Sequence, residues 1–275
     1  HLRCQAAFDP SYLAAASECT LSCGLSLYPA ELIQWETEVL RDATEWPLPP
    51  FQECAQKETL DTDSRVIVYT DGSRKTSQHN YVQVAGSGVW WGQNHPNNMA
   101  FPLPGRSQGS DRAEVYAAVL CMELDPRRLR IKSDSSYVVD CFAKMCQEGG
   151  EVPRQINYDL WERIRSQVLQ FPGRVVIEKT KGHAQAYHIL RGLSTVEDKF
   201  GNDNADQLAE EGALVNSPPR ELLVVLEKHR KQITELQKMM LAIYKEREKA
   251  TELKTALDLH AEQIRFARRA QAARQ

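Results

Sequence analysis

The chain has 275 residues, 42% hydrophobic and 26% charged, with a formal net charge of −3. That length exceeds one compact domain of about 100–200 residues and leaves room for one core and two flanks. Seven cysteines, an odd number without a Cys-x-x-Cys pair, argue against a zinc or disulfide framework, and no apolar run reaches the ~20 residues of a membrane helix.

With neither a signal-peptide pattern nor a spanning segment, the expected compartment is the reducing cell interior, nucleus and cytoplasm alike. The chain opens on His1 rather than Met and is read as a fragment of something longer. Three segments are expected: a flank over 1–60, a central domain over 61–215 and a helical tail over 216–275. In the flank, Tyr28-Pro29-Ala30-Glu31 predicts the start of a short helix, and Trp46-Pro47-Leu48-Pro49-Pro50-Phe51 an extended linker. This flank holds three Lys and Arg against nine Asp and Glu and carries no chemistry.

In the central domain the apolar run Val66-Ile67-Val68 predicts a buried strand that delivers Asp71, in Tyr69-Thr70-Asp71-Gly72-Ser73, at its end. A helix is predicted over 111–124 from Ala113, Val115, Ala117, Ala118, Leu120 and Cys121, and it carries Glu114 near its start. Leu129-Arg130-Ile131-Lys132 predicts a second strand feeding Asp134. Ser135-Ser136 then opens a helix with Val138, Val139, Phe142 and Met145. Asn157 stands at the head of a helix over 158–168, with Trp161 in its core. Val175-Val176-Ile177-Glu178 predicts a strand leading into Lys181-Gly182-His183, and a long loop follows from His183 to Asp206. Ala205, Leu208, Ala209 and Ala213 place Asp206 near the start of one more helix.

Two strand ends and two helix starts can bring four carboxylates together. Hard divalent cations prefer such oxygen ligands, and a pair of them can activate water against a phosphodiester. Each acid alone has an ordinary explanation: a turn residue for Asp71, a helix cap for Asp134, a solvated face for Glu114 and Asp206. Order and spacing favour the joint reading.

After Ser217-Pro218-Pro219 the chain is proline-free, with Leu222, Leu226, His229, Ile233, Leu236, Met240 and Ile243 alternating four and three apart. One long amphipathic helix is expected. Arg247 and Lys254 interrupt its stripe before Leu257, Ala261 and Ile264 resume it, so heptad pairing with a second copy or a partner helix over 219–268 stands beside packing on the domain. The tail has 13 Lys and Arg against 8 Asp and Glu, whereas the central domain has 18 against 20, so the tail is the better electrostatic candidate for phosphate contact.

Tyr-Thr-Asp-Gly-Ser at 69–73, Arg-Ala-Glu at 112–114, Ser-Asp-Ser at 133–135, Lys-Gly-His at 181–183 and Gly-Asn-Asp-Asn-Ala-Asp at 201–206, in this order, resemble the type 1 ribonuclease H family. The resemblance runs from about 65 to 213 and implies an α/β fold, a mixed five-stranded sheet flanked by helices. It also implies cleavage of the RNA strand of RNA/DNA hybrids with two Mg²⁺, or Mn²⁺, ions. Asp71, Glu114, Asp134 and Asp206 would hold the metals, and His183 would assist proton movement or product departure. Asn157 and Arg112, with Ser73 and Ser110, would contact the nucleic acid. A ribonuclease H with sequence before it is similar to modules of retrotransposon polyproteins.

The sequence departs from the family at three places. Ser110 and Asp111 replace the amide side chains that read the RNA sugar. The segment 146–155 has one cation, Arg154, and no tryptophan where cellular members carry a basic handle. The loop from His183 to Asp206 is longer than usual. These departures keep open a degenerate domain retained for binding. A chain that acts chiefly as a helical assembly element, or another nuclease or transposase of the same broad fold, is a further alternative.

Overall fold

The apolar start of β1 (Val66–Thr76) puts it at the centre of a five-stranded sheet. The structure, a computed structural model, describes residues 30–39, 48–54, 58–76, 82–147 and 156–272. Before β1 lies helix α1 (Ala30–Val39), where Tyr28-Pro29-Ala30-Glu31 predicted one. The strands β2 (Gln83–Trp90) and β3 (Met99–Pro102) follow, and then helix α2 (Ser110–Leu124). Next come β4 (Leu129–Ser133), helices α3 (Ser136–Gln147) and α4 (Tyr158–Gln170), and β5 (Val175–Lys179). Helices α5 (Ala186–Leu190), α6 (Val196–Val215) and α7 (Arg220–Ala272) complete the order.

The sheet order is β3-β2-β1-β4-β5. The first three strands form an antiparallel meander, while β4 pairs parallel with β1, and β5 with β4. Parallel neighbours need a crossover, which α2 supplies between β3 and β4, and α3 with α4 between β4 and β5. The architecture is thus the expected mixed sheet flanked by helices. Val68, Leu129, Ile131, Leu120, Trp161 and Ile164 are fully or almost fully buried and belong to one core. Cys121 is buried there, while Cys141 is only partly covered.

Three expectations are corrected. Asp71 is not at a strand end: β1 continues through Gly72 to Thr76, because Lys75 and Thr76 pair on with Val84 and Gln83 of β2. What ends near Asp71 is the parallel ladder, whose last pair is Thr70 with Ser133. The long loop after His183 is largely helical. The hydroxyl of Thr195 accepts from the backbone N–H of Asp198, and Glu197 and Asp198 lie in the favourable first turn of α6. Asp206 therefore sits in the middle of α6 rather than near a helix start.

Residues 33–219 form one compact unit, wider than 61–215. Leu48 and Phe51 pack on the core, and the Asn97 side chain bridges to the backbone of Gln52. Glu58 accepts a fork of hydrogen bonds from Arg127 at 2.5 and 2.9 Å, and Arg127 also binds the buried Asp125, which accepts from the Trp91 indole. Arg127 offsets the burial of Glu58 and holds its carboxyl below the usual range. The expected linker is therefore partly docked. Most of the segment 146–155, and Trp46-Pro47, lie outside the described residues.

The second unit contains α7, a continuous helix of 53 residues as its proline-free run predicted. Leu253, Leu257 and Ile264 on it are exposed. Among the described residues no helix is long and apolar enough to cross a membrane.

Candidate active site

Parallel pairing of β1 with β4 sets two of the four acids side by side. Asp71 follows Thr70, and Asp134 follows Ser133, the residue paired with Thr70. Lys179 fixes this second position by donating its Nζ hydrogen to the Asp134 carbonyl, while the Ser133 hydroxyl accepts from the N–H of Ser135. Ser135, not Asp134, faces the open first turn of α3, at 3.4 Å from Val138 N.

Glycines let the two helices approach. A Cβ on Gly72 would lie 2.3 Å from the backbone N of Glu114, so only glycine admits α2 this close to β1. On β2, a Cβ on Gly88, the residue paired with Asp71, would meet the carbonyl of Ala205 at 2.0 Å. Helix α6 therefore lies directly on β2 and presents Asp206 to Asp71.

Carboxylate oxygens of Asp71, Glu114 and Asp134 all lie within 4.8 Å of one another. Asp206 stands outside this group of three, which corrects the expectation of four converging acids, but its charge acts on Asp71. Burial is the first cause that pushes the Asp71 carboxyl up to about 8, followed by the charge of Asp134 and by Asp206. Burial likewise raises Glu114 well above the usual range, with Asp71 and Asp134 adding to it. The backbone N–H of Gly72 opposes both shifts. None of the ion pairs among the described residues involves any of the four acids, and Glu114 Oε2 is buried without a hydrogen-bond partner. A partly buried cluster of oxygen donors with no paired cation fits a hard divalent cation.

Around this cluster the remaining candidates are distributed unevenly. Gly182 touches it: a Cβ there would lie 2.2 Å from Asp134 Oδ2. His183, next in the chain, has a left-handed backbone with φ of 47° and is exposed beside the acids rather than among them. Ser73 lies two residues beyond Asp71 on β1, and Ser110 is the first residue of α2, one turn before Glu114. Arg112 forms an ion pair with Asp159 at 2.5 Å and approaches Asn157 at 3.5 Å. Asn157 precedes α4, but its side chain makes no capping hydrogen bond. Trp161 is core, as expected, and its indole N–H donates to the Tyr137 hydroxyl.

A sequence profile described as RNase H matches residues 63–214, more than half of the chain. This chain belongs to the ribonuclease H family. Ribonuclease H of Schizosaccharomyces pombe is 30% identical over 179 residues, which cover 62% of this chain and 61% of that protein. Ribonuclease H1 of Mus musculus is 49% identical over 161 residues, covering 54% of this chain and 50% of that protein. The human Ribonuclease H1 is 30% identical over 162 residues, with 54% and 50% covered. The chain thus spans about half to three fifths of the length of these relatives. Among solved structures, the RNase H domain of PFV is 22% identical at a TM-score of 0.42, covering 54% of this chain and 94% of that one. LC11-RNase H1 in complex with RNA/DNA hybrid is 17% identical at a TM-score of 0.35, covering 54% of this chain and 95% of that one.

Two features of this ribonuclease H domain escaped the sequence reading. Asp159 binds Arg112 in a fork. Its only local signal was an acid in the first turn of a helix, which is common. Gly182 was visible inside Lys-Gly-His, but nothing local shows that the residue must be small because a carboxylate from another strand lies against it.

Proposed function

We propose that this chain hydrolyses the RNA strand of RNA/DNA hybrids, with Asp71, Glu114, Asp134 and Asp206 holding two divalent cations, Mg²⁺ or Mn²⁺. The observation that carries this reading is the buried Asp71, with carboxylate oxygens of Glu114 and Asp134 within 4.8 Å and no cation paired to any of them among the described residues. Membership of the ribonuclease H family and the names of the relatives support it. Bound divalent ions polarise the phosphodiester and generate a nucleophile from water at neutral pH.

The side chains have separate tasks. Asp71, the buried member of the group with Glu114 and Asp134, would be a central metal ligand. Glu114 offers its unpartnered Oε2. His183, exposed on the turn beside Asp134, takes or delivers a proton at an imidazole nitrogen. Asn157 and Arg112 contact a phosphate of the nucleic acid, and Ser73 and Ser110 approach the same groove. Only a hybrid combines a 2′-hydroxyl on one strand with deoxyribose on the other, which gives these contacts something to select. With 18 cations against 20 acids in 61–215, affinity depends on such local contacts and on the cationic tail rather than on a bulk field. Leu222, Leu226 and Leu236 of the α7 stripe are buried, and its exposed part around Leu257 and Ile264 is proposed to pair with a second copy of the chain or with a partner helix.

The purified chain should be incubated with Mg²⁺ and end-labelled RNA/DNA hybrid, beside duplex RNA, duplex DNA and single-stranded RNA. Cutting confined to the RNA of the hybrid supports the proposal. Binding of the hybrid without cutting, in either Mg²⁺ or Mn²⁺, would leave a degenerate domain retained for binding.

A further inference from the structure

Asn157 has a φ of 66°, a left-handed conformation that asparagine adopts more readily than most residues. An asparagine before a helix normally turns its Oδ1 to a first-turn backbone N–H, and this one does not. Its Oδ1 instead faces Nη1 of Arg112 at 3.5 Å. That contact orients the amide, leaving Nδ2 buried without an acceptor, in a residue only 9% exposed. Arg112 Nε is buried without an acceptor too. Buried donors of this kind are rare, and two beside each other, one of them cationic, fit an anionic oxygen that arrives with the ligand.

Asp159 holds this arrangement in place. Nη1 and Nη2 of Arg112 donate to its two oxygens at 2.8 and 2.5 Å, a fork geometry that fixes the guanidinium plane. Asp159 is two residues after Asn157, and Arg112 two residues before Glu114. One ion pair therefore ties the helix that carries the amide to the helix that carries a metal-ligand candidate. The Asp159 side chain is 60% exposed and Arg112 only 18%, so the acid lies on the outer side of the guanidinium and leaves its inner edge to the orphaned donors.

We infer that Asp159 is a positioning residue: through Arg112 it aims the Asn157 amide at a phosphate of the bound nucleic acid. This rests on the proposed hybrid cleavage. Asp159 itself touches no substrate, and it acts on binding rather than on the chemical step.

The test is a double-mutant cycle in the full chain, using Asp159→Asn, Asn157→Ala and both together, with Asp159→Glu as the conservative variant. Each is assayed for KM and kcat on a labelled RNA/DNA hybrid and for melting temperature. Asp159→Asn is expected to raise KM about tenfold with kcat within about twofold, and Asn157→Ala to do the same. The double variant should be no worse than either single one, because both remove one contact. Asp159→Glu, which keeps a carboxylate for the fork, should recover most of the loss. A purely stabilising ion pair would lower the melting temperature and leave KM unchanged. That result, or additive losses of about a hundredfold in the double variant, overturns the inference while leaving hybrid cleavage intact. An unmodified chain that neither binds nor cuts the hybrid overturns the function and this inference together.

Discussion

Asp71 and Asp134 follow the paired residues Thr70 and Ser133 on neighbouring strands, and their carboxylate oxygens lie within 4.8 Å of each other with no cation paired to either among the described residues. Burial and the neighbouring charges disfavour the Asp71 carboxylate, and Gly88 brings Asp206 near by letting the α6 backbone come down onto β2. Removing one charge should therefore relieve the apoprotein. Asp71→Asn is expected to abolish hybrid cleavage and yet raise the metal-free melting temperature. About 1 kcal/mol of relief corresponds to roughly 2–4 °C in a protein of this size. Calorimetry of the folded variant in EDTA checks this.

The same cluster fixes the sign of a pH effect. The folded carboxyls of Asp71 and Glu114 are raised above their unfolded values, Asp71 from 3.8 to about 8. A raised group contributes its full stability below the unfolded value and loses it as pH rises through the folded one. The metal-free chain should accordingly melt lower at about pH 9 than at about pH 6, and Mg²⁺ should offset more of that loss at the higher pH, because cations and protons compete for the same oxygens. Melting curves with EDTA and with Mg²⁺ at both pH values would show it. Asp71→Asn should reduce the pH dependence.

Much of this was legible in the sequence. Val66-Ile67-Val68 and Leu129-Arg130-Ile131-Lys132 mark their strands by apolar residues, and the proline-free stripe from Leu222 marks α7. The four acids were legible because each lies within a short motif. The extent of β1 was not, since Asp-Gly-Ser reads as a turn until β2 is there to pair with it. Helix α6 was misjudged at its start: its first turn offers only the exposed pair Val196 and Phe200 as an apolar signal, and the decisive feature is the Thr195 cap. The role of Asp159 was hidden because a fork with Arg112 is a contact between residues 47 apart.

Close packing predicts a third outcome. A methyl group at position 88 meets the Ala205 carbonyl at 2.0 Å and can be accommodated only if α6 moves. Gly88→Ala is expected to cost about 1–3 kcal/mol, the usual range for overpacking. It should also lower cleavage at a temperature where the variant remains folded, since Asp206 moves with the helix. Gly92→Ala, where nothing lies within 4 Å of an added Cβ, is the control. Equal activity in the two variants would detach the position of α6 from catalysis.

For α7, the exposed Leu257 and Ile264 continue the four-and-three spacing begun at Leu222. If that stripe pairs copies of the chain, Leu257→Glu with Ile264→Glu should convert a dimer into a monomer by light scattering, with hybrid cleavage little changed. An unmodified chain that is monomeric at tens of micromolar would exclude self-association through this helix in that range.

The most direct measurement is cleavage of an RNA/DNA hybrid, labelled on its RNA strand, as Mg²⁺ is raised from zero, with Asp134→Asn run in parallel. The four-carboxylate site predicts RNA fragments that depend on the added ion and fall at least about a hundredfold in the variant, in line with loss of a principal catalytic charge. Equal cutting by both proteins, or cutting that persists in EDTA, would contradict it.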